Sequence, residues 1–407
     1  MKLIIGILTL FLQFTTAAQT TKFISVSGQN VIGTDGKPFL IRGTNLGNWL
    51  VPEGYMFRFT KTNSPRMIHE LLTELIGPDD AALFWKKFLD NYITEPDIRY
   101  LKELGMNSIR LPFHYKLFTD EPYMGGQGKA RGFELFDRVL NWCRKYDLPV
   151  ILDMHCAPGG QTGDNIDDSW GYPYLFEHEP SRQLTINIWK DIAARYKNDP
   201  IVLGYDLLNE PIAHYFDASL LNPLLEPLYQ RMVKAIRETD TNHIILLGGA
   251  QWNSNFKVFG PPFDSKLIYT FHKYWTATTA DVIREYVDYG KKHNVPIYVG
   301  ETGENTDQWV HDFRVLCEKN NIGWHFWPYK KMENKRGIVD FATPEGYQLI
   351  RDYADTTRTT YEQKRTLRPK DMAKVKSALN ILLENCLFKN CRPNEGYIRA
   401  LGLGKKS

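Results

Sequence analysis

The sequence predicts an α/β fold: a closed (β/α)8 TIM barrel with a short N-terminal β-hairpin and long βα loops. Three observations predict it. Short apolar runs with strand character recur along the 407 residues, and amphipathic helical patterns separate them. Strands alternating with helices imply right-handed crossovers and a parallel sheet, and the count of eight suits closure. Two of the runs, 201–208 and 296–300, lead directly into a carboxylate, Glu210 and Glu301. A barrel delivers its chemistry at such C-terminal strand tips. An open doubly wound sheet is the competing arrangement. It needs a glycine-rich dinucleotide loop after the first strand, and Gly43-Thr44-Asn45-Leu46-Gly47 does not supply one.

In chain order, residues 1–18 read as a cleavable secretory signal. Lys2 is the positive start, 3–14 the apolar core, and Thr16-Ala17-Ala18 the small-residue cleavage site. Residues 19–407 are expected to form one catalytic barrel domain, secreted or periplasmic. Residues 22–31 alternate and break at 33–38, which reads as a hairpin under the barrel. The first barrel strand is 39–44. A long insertion follows at 55–91, with helical patterns at 66–76 and 79–91. Thr94-Glu95-Pro96-Asp97 has a capping Thr, an early Pro and an acidic first turn, so a helix starts there and runs to Gly105. The remaining strands are placed at 107–113, 150–155, 201–208, 243–248, 267–272, 296–300 and 323–327. Helices between them are placed at 133–146, 181–196, 220–239, 279–293 and 306–320. Ser181 is the expected cap of the helix at 181–196. Helical patterns at 344–353 and 370–387 close the chain.

Composition narrows the function. A net charge of +3, with no basic block before Lys405-Lys406, argues against a nucleic-acid partner. No run after the signal is long and apolar enough to span a membrane. The five cysteines are too few and too scattered for a disulfide framework or a zinc site. Cys143 and Cys317 fall on helical patterns as buried apolar residues, while Cys386 and Cys391 are close enough in sequence to pair in an oxidising compartment. No cofactor and no metal is implied, and the chain is expected to act as a monomer.

The strand ends assemble one polar set: Asn45 and Trp49, Arg110 and His114, Asp153 and His155, Asn209 and Glu210, Gln251 and Trp252, His272 and Tyr274, Glu301, and Trp327. Two carboxyls among Arg, His and Tyr, with aromatic walls, are what glycoside hydrolysis needs. One carboxyl must donate a proton while the other stays ionised. The 10 Trp and 22 Tyr of the chain include wall candidates at Trp49, Trp170, Tyr172, Tyr174, Phe176, Trp252, Trp275 and Trp327. The acidic run Asp164-Asn165-Ile166-Asp167-Asp168 lacks the ligand spacing of a calcium loop and reads as substrate-shaping. A metal hydrolase using His114, His155 and His272 is disfavoured, because these lie on different strands without a matching carboxylate set. A carbohydrate-binding barrel without catalysis is disfavoured by the presence of both glutamates.

Leu203-Gly204-Tyr205-Asp206-Leu207-Leu208-Asn209-Glu210-Pro211 resembles the acid/base signature of glycoside hydrolase family 5. Gly105-Met106-Asn107-Ser108-Ile109-Arg110-Leu111-Pro112, Asp153-Met154-His155, Thr270-Phe271-His272-Lys273-Tyr274, Gly300-Glu301 and Gly323-Trp324-His325-Phe326-Trp327 resemble other strand motifs of that family, in order. The resemblance implies a retaining enzyme with Glu210 as acid/base and Glu301 as nucleophile. It implies Asn209 on the neighbouring sugar hydroxyl, Arg110 and Tyr274 on the nucleophile, His155 and His272 lining the glycone site, and Trp327 as its floor. Trp49, His114 and Trp252 are further substrate-binding candidates. Asn45-Leu46-Gly47-Asn48-Trp49-Leu50 and His155-Cys156-Ala157-Pro158-Gly159-Gly160-Gln161 look most like the β-glucanase branch that includes exo-β-1,3-glucanases. The expected substrate is therefore a β-glucan. Glycolipid β-glucosidase and β-mannanase remain alternatives within the family. The resemblance also implies a cis bond at Trp327-Pro328. Adjacent strand residues face opposite sides, so for Asn209 and Glu210 both to reach one sugar the strand must lose β geometry there.

Overall fold

The computed structural model describes residues 22–404, so the expected export signal lies outside the described residues. The described chain opens with a hairpin of β1 (Ser25–Ser27) and β2 (Asn30–Ile32). The sequence places the turn at 33–38. Instead Ser27 pairs with Asn30, and the chain reverses at Gly28-Gln29. Gly28 sits at φ +56°, a conformation that glycine adopts without a Cβ penalty, so the tighter turn forms first.

The barrel strands are β3 (Arg42–Asn45), β4 (Ser108–His114), β5 (Val150–Cys156), β6 (Val202–Asp206), β7 (Ile244–Gly248), β8 (Leu267–Tyr274), β9 (Ile297–Gly303) and β10 (Gly323–Trp327). They close in the order β10-β3-β4-β5-β6-β7-β8-β9, with every neighbour parallel. Each lies where an apolar run was read. At the closed end Ile24, Ile41, Ile151, Ile244, Leu246 and Ile268 pack together, and Val26, Val31 and Phe39 of the hairpin region cover them. The hairpin is thus a plug under the barrel, as expected.

Local signals place the helices. Ser64 accepts a hydrogen bond from Met67 N–H and starts the helix Pro65–Ile76. Asp97 accepts from the Thr94 N–H at 2.8 Å and starts Glu95–Glu103. The helix expected from Ser181 begins earlier, at Glu179. Pro180 suits a first turn, and Ser181 Oγ bonds to the His178 ring instead of capping. The C-terminal region holds more than the two helices read from pattern. β11 (Lys330–Met332), β12 (Val339–Phe341) and β13 (Arg392–Pro393) form a small mixed sheet, and helices Tyr361–Leu367 and Glu395–Ala400 are added. These pieces are too short to show a period. Among the described residues, no helix is long and apolar enough to cross a membrane. All five cysteines are free, Cys386 and Cys391 included.

Candidate active site

Arg110, on β4, lies fully buried in the barrel interior and organises the mouth. Its Nε donates to Asp206 Oδ2 at 2.9 Å. Nη1 donates to Asn45 Oδ1 at 3.0 Å and to Glu301 Oε1 at 2.6 Å, and Nη2 donates to Asn209 Oδ1 at 2.9 Å. Nη2 also pairs with Asp153 Oδ1 at 2.9 Å. One guanidinium therefore faces three carboxyls and makes four hydrogen bonds, to Asp206, Asn45, Glu301 and Asn209. Burial pushes Asp153 and Asp206 each up to about 7, with Arg110 pulling the other way.

Glu301, at the tip of β9, receives Arg110 on one oxygen and the Tyr274 hydroxyl on the other, at 3.1 Å. Burial raises its pKa, and the Arg110 charge opposes that rise. Among the described residues, no Lys or Arg pairs directly with Glu210. Its Oε1 lies 2.9 Å from His272 Nδ1. Burial, then the Glu301 charge, hold its carboxyl well above the usual range. Burial drives His272 well below its usual value, so that ring is neutral. Carboxylate oxygens of Glu210 and Glu301 lie within 4.8 Å of each other.

β6 loses strand geometry before Glu210, as the two adjacent polar residues require. The strand ends at Asp206, and Glu210 and Ile212 take φ +46° and +57°. Left-handed non-glycine residues cost about 1–2 kcal/mol each. Here the loop after β5 holds them. Gln161 Nε2 donates to the Asn209 carbonyl and Thr162 Oγ1 to the Glu210 carbonyl, both at 2.8 Å.

A cleft of about 550 Å³ opens over the pair. Glu210, Glu301, His155, Tyr274, Trp252 and Trp327 line it, together with the wall candidate Trp275. Trp327 stacks on His155 with ring centres 5.5 Å apart. A Cβ on Gly47 would sit 2.5 Å from the Trp327 ring, so a glycine is what lets that indole lie flat. The Trp327–Pro328 bond is cis, as the resemblance implies.

Other candidates fall elsewhere. Trp49 is fully buried, and its Nε1–H donates to the Leu89 carbonyl under the helix Pro78–Asn91. The insertion supplies that helix as a roof, so the indole has no free face. His114 is buried too. Its Nε2 faces Asp168 at 3.4 Å and its ring packs on Tyr123. Neither reaches the cleft. Arg110 and Asn209 have no exposed surface, and His272 is 3% exposed. These three hold groups at the mouth from below. Trp170 stands 74% exposed against Arg66, and Phe176 is core. Tyr172 and Tyr174 pack on each other, and neither belongs to the cleft wall. Of the acidic run, Ile166 lines the cleft, while Asp167 accepts from the Thr162 and Gly163 N–H groups.

Sequence reasoning missed Glu53, Tyr55 and His214, which line the cleft. Glu53 was signalled by a lone acid in the apolar stretch Trp49-Leu50-Val51-Pro52. Its Oε1 is buried and unpartnered, and burial with the Glu301 and Glu304 charges raises its pKa well above normal. Tyr55 accepts from Trp327 Nε1–H at 2.6 Å. Glu304 also lines the cleft, paired with Lys331 at 2.5 Å rather than with Arg110.

Among the described residues, two groups have donors close enough for a metal: Asp153 with His155 and Glu301, and Glu210 with His272 and Glu301. Arg110 already places a positive charge against the first. His114 belongs to neither, so the three-histidine arrangement does not form.

The family model for cellulase (glycosyl hydrolase family 5) matches residues 74–341. This chain belongs to glycoside hydrolase family 5. It is a glycoside hydrolase. A β-xylosidase of Phanerodontia chrysosporium is 30% identical over 342 residues, covering 81% of this chain and 67% of that protein. Endoglucanase C of Acetivibrio thermocellus (strain ATCC 27405) is 28% identical over 313 residues, covering 62% of this chain and 88% of the relative. A probable glucan 1,3-beta-glucosidase A of Aspergillus fumigatus is 26% identical over 284 residues, covering 66% of each.

Proposed function

We propose that this family 5 enzyme is an exported, monomeric β-glucanase with one catalytic barrel domain at 19–407, acting by retaining double displacement. The observation that carries the reading is a pair of carboxyls within 4.8 Å in opposite surroundings. That spacing suits direct attack rather than an intervening water, which needs a separation of about 6.5–9.5 Å. Glu301, beside Arg110, is the ionised nucleophile. Glu210, beside a neutral imidazole, is the acid. Glu301 attacks the anomeric carbon while Glu210 gives its proton to the leaving oxygen. A glycosyl ester forms on Glu301. Glu210, now ionised, takes a proton from water, which attacks the same carbon and frees Glu301. His155 borders the reacting sugar, Trp327 is its floor, and Glu53 offers a hydrogen bond to a hydroxyl.

Azide tests the two roles separately. Glu210→Ala with azide is expected to regain turnover and give the β-glycosyl azide. Glu301→Ala with azide is expected to give the α-azide. The reverse pairing would overturn the assignment. Products from β-1,3-, β-1,4- and β-1,6-glucans and β-mannan would set linkage and exo or endo action. The 30% identical β-xylosidase favours a second reading, β-xyloside cleavage, and a xyloside belongs on the same panel. N-terminal sequencing of secreted protein checks the signal at 1–18.

A further inference from the structure

Asn253 lies just past the tip of β7 and is fully buried. Its Nδ2 is 3.1 Å from Nε2 of His272, whose other nitrogen, Nδ1, is 2.9 Å from Glu210 Oε1. One imidazole therefore links Asn253 to the carboxyl read above as the proton donor. Asn253 Oδ1 is also buried and has no hydrogen-bond partner. The amide thus holds both a donor and an acceptor within a half-turn of the same ring nitrogen.

The backbone that carries Asn253 is unusual. Gln251, Trp252 and Asn253 have φ of 50°, 62° and 57°, three consecutive left-handed residues without a glycine. Such strain persists only where the surroundings over-determine it. Here Ala250 and Asn255 exchange backbone hydrogen bonds at 3.2 and 2.9 Å across the turn. The Gln251 side chain is held by Asn222 and Asn255. A Cβ on Gly248 would lie 2.1 Å from Asn253 Oδ1, so the strand ends in glycine where the amide lies against it. The same turn puts Trp252 on the cleft wall.

We propose that Asn253 is a positioning residue for the Glu210 proton, acting by setting which nitrogen of His272 carries hydrogen. With the amide N–H toward Nε2, the ring keeps its hydrogen on Nδ1 and donates to ionised Glu210. With the amide oxygen toward Nε2, that nitrogen carries the hydrogen and Nδ1 accepts from protonated Glu210. The observed amide nitrogen at Nε2 selects the first state, so Nδ1–H stays on the ring through the cycle and stabilises Glu210 once its proton has left. The inference rests on Glu210 being the acid/base.

The test compares kcat/KM for phenyl and 2,4-dinitrophenyl β-D-glucoside, since dinitrophenolate departs without a proton. Asn253→Ala and Asn253→Asp are expected to lose roughly 30-fold on the phenyl substrate and under about threefold on the other, within the range of general-acid effects. Asn253→Asp, which offers only acceptors, is expected to move the alkaline limb of the pH profile upward. Equal losses on both substrates with an unmoved limb would overturn the proposal. Glu210→Gln is run alongside. If it too lacks leaving-group selectivity, the acid assignment fails. If it shows selectivity and the Asn253 variants do not, only the role of Asn253 fails. Nitrogen-15 NMR of histidine-labelled wild type, above the alkaline limb, reads the tautomer directly. Nδ1–H on His272 is expected, and Nε2–H sinks the idea whether or not the variants fold.

Discussion

At the closed end of the barrel, Ile41, Ile151, Ile244, Leu246 and Ile268 fill the interior with aliphatic carbon. Higher in the same barrel, Arg110, Asp153, Asp206 and Glu301 fill it with charge. On β5 the change takes two residues, from Ile151 to Asp153. The aliphatic end gains stability by area and loses it in small steps. The charged end is stable only as a completed set, because each buried charge needs its partners. Damage there should be abrupt.

The largest expected effect is on turnover. Glu301→Gln should lower kcat by about 10⁴-fold or more and leave the thermal midpoint within a few degrees, whereas Glu210→Gln should cost about 10²–10⁴-fold on substrates with poor leaving groups. A normal rate in either would remove the mouth from the chemistry altogether. Next comes Arg110→Met, which strands three buried carboxyls. A loss of about 3–5 kcal/mol is expected by denaturant unfolding. Ile151→Val at the other end should cost about 0.5–1.5 kcal/mol. Equal losses from these two variants would erase the contrast between the ends.

A pH test is subtler. Asp206 and Asp153 are raised from 3.8 to about 7 in the folded chain. The folded state therefore holds protons that the unfolded state has released. The stabilisation is complete below about pH 4 and drains away as the pH rises through about 7. Asp206→Asn should flatten that decline by up to about 1.4 kcal/mol per pH unit, read from urea midpoints at several pH values. An unchanged slope would mean that Asp206 is not a protonated member of the cluster. Catalysis follows the same sign. In the proposed mechanism Glu210 must hold its proton, so kcat/KM should fall as the pH passes above its raised pKa. The smallest effect is expected at the rim. Trp275 is 70% exposed on the cleft edge. Trp275→Ala should raise KM for oligosaccharides a few-fold, on the order of 1 kcal/mol for one exposed aromatic face, with no change in unfolding midpoint.

Much of this arrangement was readable before any coordinates. The strands announce themselves as apolar runs, and the carboxyls at their tips stand out because a buried run rarely ends in Glu-Pro or Gly-Glu. Asn209 and Glu210 even required the strand to break, and the backbone at Glu210 does so. Trp49 and His114 were misplaced for one reason. Being near a strand end sets height in the barrel, but not whether a later segment covers the side chain. The helix Pro78–Asn91 covers Trp49, and the Asp168 loop takes His114. Glu53, Tyr55 and His214 were missed because loops carry no period from which to project a direction.

The sequence by itself determined the barrel, its polarity and the two glutamates, because strand period and strand-end chemistry are local properties. Tertiary structure supplied a physical reason for Glu210, read as the acid from the family resemblance, to keep a proton where Glu301 would not. That depends on where one guanidinium lies, and Arg110 crosses the interior from β4 to Glu301 on β9 rather than to Glu210. Tertiary structure alone also brought Asn253, from a strained turn after β7, to the far side of the His272 ring. Charge and hydrogen bonding act through space over a few ångströms, and sequence distance does not measure that.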